Sequence, residues 1–202
     1  MKRFTLLFTT IAGMSFLFSC SNGPEHDAKK QADSANTANI DSAKLRDTSA
    51  AQPVHMADLK PDAAFAVAAA DGGMLEVALG KIAVKMGASE AVKKLGARMV
   101  ADHSKANLEL KALAKEKDIA IPAEMSAKCQ KVVTDLEDKK GRDFDKAYAD
   151  LMVSDHKDDI DDFRKEANKG NDSQVSAWAK NTLPTLEHHL MMSEDLKKNL
   201  DK

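Results

Sequence analysis

The sequence predicts an all-α fold, an antiparallel four-helix bundle with an extra short helix before the third long helix. Three observations predict it. From about residue 61 onward, apolar side chains recur at steps of three and four, the period of one helix face. Over the same stretch no segment alternates apolar and polar residues as a half-buried strand does, and no Asn-Gly hairpin signal occurs. Glycines and capping residues punctuate the pattern at Gly87–Ser89, Gly141 and Gly170–Ser173.

The first long helix is expected from about Asp62 to Met86, with Gly87 as its stop. The second starts after Ser89 as N-cap and runs to about Lys117. Ile119-Ala120-Ile121-Pro122 then breaks helicity, because proline lacks an amide hydrogen and restricts the residue before it. A short helix is expected over Ala127 to Lys139, ended by Gly141. The third long helix begins near Asp143 and ends at Lys169-Gly170. Asn171, Asp172 or Ser173 caps the fourth, which reaches about Leu200 with Pro184 as an internal kink. Helices of this length are about 38 Å long at 1.5 Å per residue, and mostly short connections make neighbours antiparallel.

The segments ahead of the bundle predict a compartment. Met1-Lys2-Arg3 is basic, and Phe4 to Phe18 is an apolar run too short for a stable membrane span. Ser19-Cys20 follows, and the order resembles a bacterial lipobox. Residues 1–19 are therefore read as a lipoprotein signal peptide. Cys20 is read as the lipidated, palmitate-bearing residue that anchors the chain to a membrane. Residues 20–60 are rich in Ala, Ser, Asp, Asn and Lys and poor in large apolar residues. Such a composition predicts a disordered tether with a reach of roughly 35 Å. Residues 61–202 are the folded domain. With Cys20 lipidated, Cys129 has no disulfide partner and reads as a structural thiol. The chain carries 30 basic and 32 acidic residues, a balance that argues against nucleic acid as a partner.

The helix faces also locate a candidate site. Leu95, Met99, His103, Ala106 and Leu110 form one stripe. Tyr148, Met152, His156, Ile160 and Phe163 form another, and Trp178, Thr182, Leu186 and His189 a third. On the first helix, Glu76 is the charge on an otherwise apolar face. Each long helix thus offers one metal-competent side chain at its core seam: Glu76, His103, His156 and His189. Imidazole and carboxylate ligate Zn, Fe, Mn or Cu, and bundle cores host such sets. Asp102 and Asp155 adjoin two of the histidines and are candidates to orient an imidazole rather than to chelate. Adjacent helical residues point about 100° apart. The alternative is a closed Asp/His hydrogen-bond network that only fixes helix register. A carboxylate-rich di-iron pattern is not met, since Val100, Val153 and Leu186 stand three residues before the histidines. His188 reads as a surface residue, and His26 and His55 fall in the tether.

Ala69-Ala70-Asp71-Gly72-Gly73-Met74-Leu75-Glu76-Val77, Met99-Val100-Ala101-Asp102-His103-Ser104-Lys105-Ala106-Asn107, Phe144-Asp145-Lys146-Ala147-Tyr148 and Thr182-Leu183-Pro184-Thr185-Leu186-Glu187-His188-His189-Leu190 follow one another in the chain. Together they resemble a bacterial domain-of-unknown-function family described as "predicted outer membrane protein". The resemblance covers about Ala63 to Leu196. It implies a ferritin-like four-helix fold, with Glu76, Asp102, His103, Asp155, His156 and His189 at the family's recurrent polar positions. It also implies the envelope of a Gram-negative bacterium, with the domain in the periplasm or at the surface. No agreed activity comes with it.

Two functions are expected from these readings. One is a lipid-anchored envelope protein that binds a metal ion or small polar ligand in its core. The other is a non-catalytic structural or stress-related envelope protein with a polar core that sets register. A metal with an open position also admits oxidoreductase or hydrolase chemistry, but no residue pattern identifies a reaction.

Overall fold

The computed structural model describes residues 27–46 and 59–202. The segment read as a signal peptide, Cys20, His26 and His55 lie outside the described residues. Six helices follow in order: α1 (Ala28–Arg46), α2 (Lys60–Met86), α3 (Glu90–Glu116), α4 (Ala127–Glu137), α5 (Gly141–Lys169) and α6 (Ser173–Leu200). Among the described residues there is no strand. The four long helices α2, α3, α5 and α6 make the bundle, and α4 is the extra short helix before the third of them.

Local chemistry sets the helix ends. The Ser89 hydroxyl accepts from Val92 N at 3.3 Å and starts α3. Asp172, one of the three expected caps, accepts from the Gln174 and Val175 amides and starts α6. Ser126 does the same for α4 through Cys129 N. Gly141 differs from expectation. It opens α5 instead of ending α4, with a φ of 56° that suits glycine. α6 is continuous through Pro184, which lies at an exposed position.

Contacts at the bundle ends fix the directions. Asp62 at the start of α2 accepts from the Asn171 and Asp172 amides just before α6. Asp145 near the start of α5 accepts from the Ala88 and Ser89 amides at the end of α2. Lys117 after α3 pairs with Asp172 at 2.7 Å. α2 therefore runs antiparallel to both α3 and α5, and α6 runs antiparallel to both α3 and α5. Two hairpins, α2–α3 and α5–α6, are joined by the long crossover that carries α4. Gly80 and Gly96 let the first hairpin close tightly. A Cβ on either would sit 2.7 Å from a backbone oxygen, Gly96 O for the first and Gly80 O for the second.

The expected tether needs a correction over residues 28–46, which form α1 packed beside α2. Ala32, Asn36 and Ile40 step by four and are buried on one face. The Asn36 amide donates to Ala120 O at 2.8 Å and accepts from Ala120 N at 2.7 Å. One large apolar side chain and a two-bond polar clamp thus replace the broad apolar stripe of the other helices. α2 is long and apolar enough to cross a membrane by length and composition, yet more than half of its most apolar stretch is buried in the bundle.

The apolar core has two main parts. Leu79, Met99, Phe144, Tyr148 and Met152 belong to one cluster. Ile160, Phe163, Ala179 and Leu186 belong to the other. On α5 and α6 a polar residue falls between them in sequence, His156 and His189, and α2 and α3 contribute Glu76 and His103 beside the first cluster. All four are buried, at 2%, 5%, 0% and 0% exposure.

Candidate metal centre

Each of the four helices delivers one member to this polar layer. The side chains expected at the core seam converge at mid-bundle. Glu76 Oε2 lies 2.7 Å from His103 Nδ1, and Glu76 Oε1 lies 3.5 Å from His156 Nε2. His103 Nε2 lies 3.1 Å from His189 Nδ1. His156 Nε2 lies 3.3 Å from the same His189 nitrogen. One ligand nitrogen from each histidine is within 4.8 Å of the other two. Tetrahedral zinc with bonds of about 2.0–2.1 Å holds ligand atoms about 3.3 Å apart, so these spacings match a three-histidine face.

The outward ring nitrogens are each held. His156 Nδ1 donates to Met152 O at 3.0 Å. His189 Nε2 donates to Asp102 Oδ2 at 2.9 Å. Asp102 reaches across to α6 and does not serve its neighbour His103, as the 100° turn between adjacent residues requires. Arg98, one turn earlier on α3, closes on the same Asp102 oxygen. Burial pushes the Asp102 carboxyl up, but the bonds from His189 and Arg98 outweigh it and hold the group below the usual range. Asp102 is therefore ionised and accepts only.

The tautomers follow. Neutral imidazole has one donor and one acceptor nitrogen. His156 uses Nδ1–H on Met152, so its Nε2 is a lone pair. His189 uses Nε2–H on Asp102, so its Nδ1 is a lone pair. These two lone pairs face each other at 3.3 Å. Burial drives all three histidines toward the neutral form, His156 to about 3 and His189 to about 4, with His103 lowered as well. His103 follows Glu76. If Glu76 is ionised, His103 Nδ1 donates to it and Nε2 becomes a third inward lone pair. If Glu76 is protonated, the order reverses and His103 Nε2–H donates to His189. Among the described residues, His156 Nε2 receives a hydrogen only if the Glu76 proton sits on Oε1, 3.5 Å away. A cation would satisfy the facing lone pairs, because imidazole ligates through such a lone pair while its other nitrogen is oriented by an acceptor.

Beside the histidines lies a carboxylate group of Glu76, Asp155 and Asp159, with one oxygen from each within 4.8 Å of the others. Asp155, expected to orient an imidazole, belongs to this group instead. Burial raises all three carboxyls, Asp155 to about 6, and mutual repulsion adds to the rise for Glu76 and Asp159. Glu76 Oε1 and Asp155 Oδ2 are buried with no hydrogen-bond partner among the described residues.

Asp159 is a residue that sequence reasoning missed. It lies three positions after His156, one turn further on the same face. The pattern sought was a carboxylate three positions before a histidine, and the run Asp158, Asp159, Asp161, Asp162 reads as a solvated face. His188 is exposed, as expected. Cys129 is buried, and its thiol bonds to Asp71 at 3.3 Å. Burial pushes that thiol up to about 11, which makes it a poor nucleophile.

No curated protein and no solved structure matches the chain. A family model matches residues 45–196, a span that takes in the whole bundle up to Leu196 and leaves out most of α1. The chain belongs to that family, described as "Domain of unknown function (DUF4142)".

Proposed function

We propose that this protein binds one transition-metal ion, Zn, Fe, Mn or Cu, through His103 Nε2, His156 Nε2 and His189 Nδ1. One observation carries the reading: His156 Nε2 and His189 Nδ1 are both lone pairs, buried and 3.3 Å apart. Their outer nitrogens are already used as donors to Met152 O and Asp102. Buried acceptors without donors cost about 1–3 kcal/mol each, and a cation converts that cost into binding. Glu76 orients His103 through its 2.7 Å contact, and Asp102 orients His189. Such orienting partners are worth about 10–100-fold in metal affinity.

The same protein is proposed to sit at the bacterial envelope, anchored through acyl chains on Cys20. The basic start, the apolar run and Ser19-Cys20 support this part. Incorporation of labelled palmitate that disappears in Cys20→Ala tests it.

The metal reading is tested on the purified full chain with Zn2+ and Co2+. The expected result is one tightly held ion in a site rich in nitrogen ligands, lost in His156→Ala and in His189→Ala. Retention of no ion, before and after reconstitution, overturns it.

A second reading has its own observation. With Glu76 protonated, the hydrogen bonds run unbroken from Glu76 to His103, His189 and Asp102, over 2.7, 3.1 and 2.9 Å. The layer would then only hold the helices in register. It expects His103→Ala to destabilise the fold by about 1–3 kcal/mol, with no dependence on metal.

A further inference from the structure

A small enclosed cavity lies on the carboxylate side of the polar layer, about 20 Å³ in volume. That is room for one water-sized body. Glu76, Asp159, His103, Asn107, Gly73 and Trp178 are among the residues that line it. Glu76 is 2% exposed, and its Oε1 has no hydrogen-bond partner among the described residues. The lining therefore contains two paired carboxyls, Glu76 and Asp159, with no N–H or hydroxyl donor to Glu76 Oε1 among the described residues, beside a space that fits a single particle.

The backbone is shaped to admit the other groups. A Cβ at Gly73 would sit 2.0 Å from Asn107 Oδ1, inside any real contact distance. A Cβ at Gly72 would sit 3.8 Å from Asp159 Oδ1, in ordinary van der Waals contact. Gly73 is thus the position that lets the Asn107 side chain press against α2 and reach the cavity. This accounts for Gly73, which neither a turn nor a helix end requires, since it lies inside α2.

We propose that Glu76, Asp159 and Asn107 form a second, oxygen-lined cation site beside the three histidines, so that the bundle centre holds two ions with Glu76 as their common neighbour. The chemistry of the two halves differs. Imidazoles suit Zn, Cu or Fe, whereas carboxylate and amide oxygens suit Mg2+ or Mn2+. The small cavity favours Mg2+ or Mn2+, with bonds of about 2.0–2.2 Å, over Ca2+ with longer bonds and more ligands. Asp155, with an oxygen within 4.8 Å of both other carboxyls, adds a third carboxyl to the half that would hold the second ion. Glu76 lies between the two sites. Oε2 faces His103 Nδ1, and Oε1, 3.5 Å from His156 Nε2, has no hydrogen-bond donor among the described N–H and hydroxyl groups. The inference rests on the histidine centre for its neighbour but not for its own ligands.

The test uses the full chain and two probes, Zn2+ for the histidines and Mn2+ for the oxygens. The protein is loaded with Zn2+, then titrated with Mn2+ while the electron paramagnetic resonance of free Mn2+ is followed. The expected result is one bound Mn2+ per Zn2+-loaded chain. Asp159→Asn is expected to weaken Mn2+ about tenfold or more while the Zn2+ content stays at one. Asn107→Ala, at a half-buried position, is a second variant if Asp159→Asn fails to fold, and is expected to weaken Mn2+ in the same direction. His189→Ala is expected to lose Zn2+ and keep Mn2+. The proposal is overturned if Mn2+ binds equally to wild type and both oxygen-side variants. It is also overturned if Mn2+ only displaces Zn2+ and vanishes with His189→Ala. A chain that holds Mn2+ through Asp159 but never holds Zn2+ overturns the histidine reading alone. A chain that holds Zn2+ through the histidines but no Mn2+ overturns this one alone.

Discussion

Buried carboxylates occur both at the bundle ends and at its middle, and their surroundings differ. At one end, Asp145 has both oxygens taken by backbone amides, Ala88 N and Ser89 N, each at 2.8 Å. Asp71, midway along α2 but outside the polar layer, accepts from Ser126 N and from the Ser126 hydroxyl, both at 2.7 Å, and from the Cys129 thiol. These groups tie loops to helices and are saturated. In the polar layer, Glu76 Oε1 and Asp155 Oδ2 accept from no N–H or hydroxyl among the described residues, and Asp159 is the carboxyl paired with Glu76. A buried charge with a structural role closes its own hydrogen bonds. One that leaves them open needs a proton or a cation as its partner.

Four expectations bear on that contrast, the first three in order of size and the fourth read as a slope with pH. Asp145→Ala should cost about 3 kcal/mol, because it strands two amides that now have charge-assisted bonds. Chemical denaturation measures it, and a loss below about 1 kcal/mol would erase the distinction between end and middle. Next, Zn2+ at a hundred times its dissociation constant should stabilise the wild type by about 2.7 kcal/mol and His156→Ala not at all. Thermal melts at graded metal concentration report this.

Third, in metal-free protein, Glu76→Gln and Asp155→Asn should each change stability by no more than about 1 kcal/mol, and toward stabilisation. Each removes a buried charge that has no full set of partners. A loss as large as that of Asp145→Ala would show the middle to be structural too.

The fourth expectation is a pH slope at Glu166. Burial, then Asp62, pushes its carboxyl from an ordinary 4.5 up to about 8. The folded state therefore holds a proton that the unfolded chain releases. That contribution is full below about 4.5 and is lost as pH rises toward about 8. Glu166→Gln should flatten stability across this window, as denaturation at stepped pH would show. Here a proton, shared between Glu166 and Asp62, does for an end of the bundle what a cation is proposed to do for the middle.

The long helices were legible because their apolar steps and their caps, Ser89 and Asp172, are local signals. α1 was not. Among its described side chains the one large buried apolar group is Ile40, and its anchor is a carbonyl and amide at Ala120, far away in sequence. In the site, Glu76, His103, His156 and His189 were legible as polar residues on apolar faces. The partner of Asp102 was not, because it lies on another helix, at His189. Asp159 and Asn107 were hidden for a different reason. Both sit beside charged or exposed residues in sequence, and the approach of Asn107 to the cavity depends on the missing side chain at Gly73.

The proposed ligand set is divided between the two hairpins. His103 and its orienting partner Glu76 come from α2–α3, and His156 and His189 from α5–α6. Neither hairpin holds all three histidines, so the proposed metal site forms only after the two have docked across the crossover. An ion that arrives after the rate-limiting step leaves the folding rate unchanged and slows unfolding. In this bundle metal would act as a latch in time: the apo protein exchanges with its open form, and the loaded one stays shut for longer than its equilibrium stability at low metal would indicate.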